Sequence, residues 1–289
     1  MKILPLLLLL CSFVPTPPFG GLGGSTCVRA QTSGSSAYRT LYDLPYRPES
    51  ADPYARERCK LDLYYPTDSS GFATIVFFHG GGLEAGEKHF LNAWENAGVA
   101  VVSANYRLSP RVKNPVYTED AAAAIAWTLQ HIGDYGGDPA RIYITGHSAG
   151  GYLASMVALD TTYLAAHGEH PDSLAGLLSF SGHTISHFTA RKENGLAWND
   201  VRVDQYAPLS HLRISPLPIV LITGDREKEL FGRYEETAYF WRMLVASGHP
   251  DATLHELAGF NHGNMVVPAA QLTLNWIRER EAQQRKKKP

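Results

Sequence analysis

The sequence predicts an α/β fold in which a mostly parallel central sheet carries helices on both faces, and three observations predict it. Seven short apolar runs alternate with longer segments of helical periodicity. Most of the runs are apolar nearly throughout, as strands covered on both faces must be. The chemically distinctive motifs follow the ends of these runs, where open α/β sheets place their sites.

The predicted strands are Cys59–Tyr65, Thr74–Phe78, Val99–Ala104, Arg141–Thr145, Leu174–Phe180, Pro218–Thr223 and Thr253–Leu257. Between the third and fourth, Ala122, Ile125, Leu129 and Ile132 form one apolar helical stripe that Gly133 ends. A helix from Tyr152 to Leu159 follows the fourth strand. Phe240, Met243, Leu244 and Ser247 make another stripe, closed by Gly248. Pro268 opens a last helix through Leu274 and Ile277. No repeat of 20–50 residues interrupts this pattern.

At 289 residues the chain suits one large α/β domain. With 44% hydrophobic and 19% charged residues it has an ordinary globular composition. The formal net charge of −2 argues against a broad basic face for nucleic acid. The basic run Arg285–Lys288 reads as a solvated tail. At the other end, Lys2 precedes an apolar stretch from Ile3 to Val14 that is too short to span a bilayer. Val28 and Ala30 suit a signal-peptidase site after Ala30. Residues 1–30 are therefore expected to be a cleavable leader and the protein to be exported, periplasmic or extracellular, with no integral span after processing. Processing would remove Cys11 and Cys27 and leave Cys59 without a partner. Residues 31–44 read as a loose lead-in to a single domain over 31–289.

The strongest motif is Gly146-His147-Ser148-Ala149-Gly150, set between a predicted strand and a predicted helix. A serine on such a turn takes strained backbone angles. Glycines two residues to either side remove the Cβ atoms that would collide. The turn exposes the serine Oγ and aims the Ala149 amide at a developing oxyanion. Directly after the second strand comes His79-Gly80-Gly81-Gly82, whose glycines leave backbone N–H groups open to a close ligand. A serine nucleophile also needs a base. Of the 12 histidines, His262 in Gly259-Phe260-Asn261-His262-Gly263 follows the last strand and lies C-terminal to the serine. No histidine spacing resembles a zinc site, and no metal or nucleotide cofactor is expected.

On these motifs the chain resembles the esterase and lipase branch of the α/β-hydrolases that carries an His-Gly-Gly-Gly loop. This branch includes hormone-sensitive-lipase-like, feruloyl, acetyl-xylan and kynurenine-formamidase-like enzymes. The stretches Glu119 to Trp127 and Tyr135 to Pro139 are similar to it as well, and the resemblance covers roughly residues 40–280. It implies an α/β-hydrolase fold with Ser148 as nucleophile and His262 as base. It also implies that Gly81 and Gly82 donate to the oxyanion beside Ala149, with His79 bracing the loop.

The acid that orients His262 stays open at this point between Asp225 and Glu227, both just past the sixth predicted strand. Many relatives read G-x-x-D there. That register selects Glu227, where this sequence departs by carrying Glu, while Asp225 is the commoner residue type. The segment 182–215 is an insertion able to form a small lid or pocket wall. Trp198, Tyr206, Leu209 and the histidines 183, 187 and 211 either line a pocket or pack and solvate a loop.

The function expected is hydrolysis of small-molecule or polysaccharide-linked acyl esters through an acyl-enzyme. Arylformamidase-type amide cleavage uses the same groups. A binding module on this fold is the remaining class, and such modules usually lack one or more of these groups.

Overall fold

All seven apolar runs form strands of one sheet in the computed structural model, which describes residues 37–230 and 232–287. The expected leader lies outside the described residues, all of which belong to one compact unit. In chain order the strands are β1 (Tyr38–Pro45), β2 (Lys60–Pro66), β3 (Phe72–Phe78), β4 (Ala100–Ala104), β5 (Gly137–His147), β6 (Gly176–Phe180), β7 (Ile219–Gly224) and β8 (Ala252–Leu257). Their spatial order is β1-β2-β4-β3-β5-β6-β7-β8. Strands β3 to β8 run parallel, and β1 and β2 pair antiparallel at one edge.

Strand β1 revises the expected loose lead-in, of which residues 38–41 and 44 pair with β2. An edge strand that is exposed along much of its length has no reason to be apolar, so its sequence carries no burial signal. Tyr38 holds it in place by stacking on Tyr64, with ring centroids 4.4 Å apart, and its hydroxyl accepts the Gly98 N–H at 2.7 Å.

The helices are α1 (Pro53–Arg58), α2 (Val116–His131), α3 (Ala149–Leu159), α4 (Thr161–Ala165), α5 (Phe188–Glu193), α6 (Arg233–Ala246) and α7 (Val266–Lys287). Successive residues of a strand face opposite sides, and the two cores divide accordingly. Val76 and Phe78 of β3 share one core with residues of α2, α3 and α6, whereas Ile75 and Phe77 share the other with residues of α7 and Trp94. The run Ala121–Ala124 is buried throughout, and its small side chains let α2 lie close against its neighbours. Trp94 is buried with its indole N–H donating to the Ala270 carbonyl at 3.0 Å. Among the described residues, no helix is long and apolar enough to cross a membrane.

A buried ion-pair network anchors the start of α2. Asp120 is fully buried and receives Arg107 Nε at 2.8 Å and Nη2 at 2.7 Å, with Arg47 Nε 3.0 Å away. Arg107 also reaches Asp52 at 2.6 Å, which ties the chain after β4 to the cap of α1. Removing one member of such a network strands the other charges in a poor dielectric. Asp120→Asn should therefore lose about 3 kcal/mol of stability in urea unfolding. A loss below about 0.5 kcal/mol would mean that this network contributes no more than a surface ion pair.

Candidate active site

Strand β5 ends at His147 and helix α3 begins at Ala149, so Ser148 alone makes the reversal. Its φ of 56° and ψ of −115° are strained for a residue with a Cβ. The neighbouring glycines make the turn possible by close approach. A Cβ on Gly146 would lie 2.3 Å from the Gly150 carbonyl carbon, and one on Gly150 would lie 2.0 Å from the Phe78 oxygen. The Ser148 N–H is fixed by the Phe180 carbonyl at 2.8 Å.

The turn after β8 brings His262 over this serine, with Nε2 2.9 Å from Ser148 Oγ. Its Nδ1 lies 2.9 Å from Oε2 of Glu229, a side chain that is 1% exposed. Glu229 Oε1 accepts the Ser181 hydroxyl at 2.7 Å and the Gly224 N–H at 3.0 Å. Burial opposes ionisation of Glu229, but the hydrogen bonds from His262 and Ser181 outweigh it and hold the carboxyl at about 2. Behind the base, His147 Nε2 donates to the His262 carbonyl at 2.8 Å. Burial, reinforced by neighbouring His262, lowers the His147 pKa to about 4 and keeps that ring neutral. This array can withdraw a proton from Ser148 Oγ and hold the resulting imidazolium against a carboxylate.

The expected acids, Asp225 and Glu227, are corrected by this geometry, because the carboxylate on His262 belongs to Glu229. After β7 the chain makes a helical turn in which the N–H groups of Lys228 and Glu229 both reach the Asp225 carbonyl at 2.9 Å. Four residues of helical path return residue 229 to the face that meets the β8 turn. Glu227 is carried outward and is exposed. The Asp225 carboxylate accepts the Gly259 N–H at 2.6 Å and the Glu227 N–H at 2.9 Å, so it clamps the turn after β7 to the turn after β8. Only the turn's hydrogen bonding distinguishes the three carboxylates. Ser181, a further residue of the site that the sequence did not indicate, sits at φ 46° just past β6.

The loop after β3 supplies the cradle. Gly81 and Gly82 have φ of 114° and 65°, and a Cβ on Gly81 would lie 2.1 Å from the Ala85 oxygen. The N–H groups of Gly81, Gly82 and Ala149 have no acceptor among the described residues. His79 braces the loop from behind by stacking on Tyr106 at 4.4 Å, and its Nδ1 lies 2.7 Å from the Gly80 carbonyl. Burial lowers its pKa to about 4. On the other side, Thr189 Oγ1 donates to the Gly82 carbonyl at 2.5 Å and the Phe188 ring covers Gly82.

The 182–215 insertion is more ordered than a solvated loop. His183 and His187 are buried, and Leu209 packs against the larger core. Trp198 is exposed beside a cavity, whereas the Tyr206 carbonyl accepts the Tyr152 hydroxyl and His211 reaches the Gln205 carbonyl at the surface.

The sheet order, the serine turn and the Ser148–His262–Glu229 array together define an α/β-hydrolase. Within that class the chain belongs to the BD-FAE family, whose model matches residues 61–209, a span holding both the glycine loop and the serine turn. It is 39% identical over 95 residues to Lipase 2 of Moraxella sp. (strain TA144), a match covering 31% of this chain and 22% of that protein. It is 42% identical over 93 residues to arylacetamide deacetylase of Bos taurus, covering 29% of this chain and 23% of that protein. The aligned segments thus span less than a quarter of either relative. The fold matches a truncated carbohydrate esterase from gut microbiota with a TM-score of 0.68 at 18% identity, over 85% of this chain and 96% of that one.

Glu229→Gln should lower kcat on any substrate by about 100-fold or more, whereas Glu227→Gln should stay within about twofold of wild type. Ser181→Ala, which removes one hydrogen bond to the carboxylate, should cost about tenfold. The reverse ranking of Glu229 and Glu227 in steady-state kinetics would restore the sequence-based choice.

Stability should carry a related signature, because the carboxyl of Glu229 falls from 4.5 to about 2 on folding. Its contribution is complete above pH 4.5 and is lost as the pH falls toward 2. In urea series from about pH 6 to about pH 2, any stability advantage of wild type over Glu229→Gln should shrink toward the acid end. A gap that widens on acidification would contradict the assignment.

Proposed function

We propose that this protein is a serine hydrolase that cleaves carboxylic esters through an acyl-enzyme on Ser148. The observation that carries the reading is the continuous array from Ser148 Oγ through both nitrogens of His262 to the buried carboxylate of Glu229. His262 Nε2 takes the hydroxyl proton as Oγ attacks the ester carbonyl carbon. The carbonyl oxygen becomes an oxyanion held by the N–H groups of Gly81, Gly82 and Ala149. Collapse of the tetrahedral intermediate breaks the bond to the alcohol, which leaves with the proton from His262. Water, deprotonated by the same nitrogen, then attacks the acyl-enzyme and releases the acid and the free serine. Glu229 stays ionised throughout and stabilises each imidazolium.

Membership of the BD-FAE family and the similarity to Lipase 2 support ester chemistry. Small-molecule or polysaccharide-linked acyl esters are the substrate class of this reading. It places the enzyme outside the cytoplasm, on the apolar, basic-led composition of residues 1–30, with a mature chain starting at Gln31. Similarity to a protein named arylacetamide deacetylase favours testing amides beside esters, since the same groups serve both.

Residues 31–289 should hydrolyse short p-nitrophenyl esters, and a fluorophosphonate probe should label Ser148. Both should vanish in Ser148→Ala. N-formylkynurenine assayed in parallel should turn over more slowly. Faster formamide than ester cleavage would make the protein an amidase, and a folded wild type inert to probe and substrates would leave a binding module.

A further inference from the structure

Beside the site, between the 182–215 insertion and α6, lies an open cavity of about 640 Å³. It shares walls with the site, since the Phe188 ring covers Gly82 and Leu230 follows Glu229. Most of its lining is apolar, and Trp198 and Val201 stand 68% and 67% exposed on it.

The polar side chains of this cavity are unevenly matched. Glu236 accepts Arg233 Nε at 2.9 Å, His183 Nδ1 at 2.8 Å, and the N–H groups of Thr184 and Ile185. Its capacity is therefore taken. Arg191, only 5% exposed, has no carboxylate within ion-pair distance among the described residues. Its guanidinium makes one hydrogen bond, from Nη1 to the Asp200 carbonyl at 3.1 Å, and its buried Nε has no acceptor there. Burial disfavours its charge most; Glu236 and Asp200, neither in ion-pair contact, offset part of that, and the nearby Arg233 adds to the penalty. An arginine cannot escape by losing its proton, so a buried guanidinium without an anion is costly. Glu235 also lines the cavity but is exposed, where solvent screens its repulsion of an incoming anion.

We propose that this cavity receives a carboxylate carried by the ester substrate, with Arg191 as its counter-ion and the apolar walls holding the hydrocarbon between carboxylate and ester. The inference rests on the ester-hydrolase reading and narrows its substrates to esters of acidic molecules. A planar fork of N–H donors suits a carboxylate, and Phe188, Trp198 and Tyr239 suit an aromatic or aliphatic spacer.

The test compares matched acid and amide esters on the intact protein. Monomethyl terephthalate against methyl para-carbamoylbenzoate puts the charge on the acyl side. Para-acetoxybenzoate against para-acetoxybenzamide puts it on the alcohol side. In one of the two pairs the acid should exceed the amide in kcat/KM by about tenfold, the worth of one charge-assisted contact. Arg191→Met should bring that ratio to about one and Arg191→Lys should keep part of it. Because the ratio is internal to each variant, a general loss of activity does not mimic the result.

Calorimetric titration with terephthalate and with terephthalamide gives a readout independent of turnover. Terephthalate should bind more tightly, and the difference should vanish in Arg191→Met. Turnover of p-nitrophenyl acetate with no acid preference in either pair, and no preferential binding of terephthalate, would overturn the cavity assignment and leave the hydrolase reading standing. Arg191-dependent binding of terephthalate with no ester turned over would uphold the anion site and overturn the hydrolase reading. An acid preference that persists undiminished in Arg191→Met would overturn the role of Arg191.

Discussion

The unusual backbone at Ser148 is the constraint on which the site depends. A positive φ on a residue with a Cβ persists only where the surroundings over-determine it, and here three strands do so. Strand β5 delivers the chain, the Phe180 carbonyl at the end of β6 takes the Ser148 N–H, and the Phe78 carbonyl at the end of β3 leaves room at Gly150 for hydrogen alone. Any larger residue at Gly146 or Gly150 would push the turn away from the sheet. The Ser148 hydroxyl would move with it, away from His262.

The remaining groups reach the serine from separate parts of the chain, each through a local device. The loop after β3 is held by the stack of His79 on Tyr106 and by Thr189 and Phe188 from the insertion. The turn that carries His262 is clamped from below by His147 and from the side by Asp225. Asp225 thus has a structural task next to the carboxylate that contacts the base. The insertion contributes to both the glycine loop and the neighbouring cavity, so its role extends beyond covering the sheet.

Two carboxylates near the site show how environment divides their roles. Glu229 and Glu236 are both buried and both held near 2, because hydrogen bonds and positive neighbours outweigh the burial that opposes their charge. Glu229 faces His262 and Ser148, whereas Glu236 is consumed by Arg233, His183 and backbone N–H groups. That consumption leaves Arg191 without a carboxylate in ion-pair contact among the described residues.

The sequence by itself determined strands β2 to β8, the serine turn, the glycine loop and the histidine, because each depends on local pattern. Runs such as Thr74–Phe78 must be covered, Gly146 and Gly150 must lack side chains, and His262 must follow the last strand. The tertiary structure alone decided β1, which is stabilised by pairing with β2 and not by burial. It also decided the acid. Asp225, Glu227 and Glu229 lie within one turn of chain, and only the hydrogen bonds from residues 228 and 229 back to Asp225 determine which one faces His262. Ser181 and Arg191 belong with these. Their significance lies in partners present or missing across the fold, at sequence separations that no local pattern records.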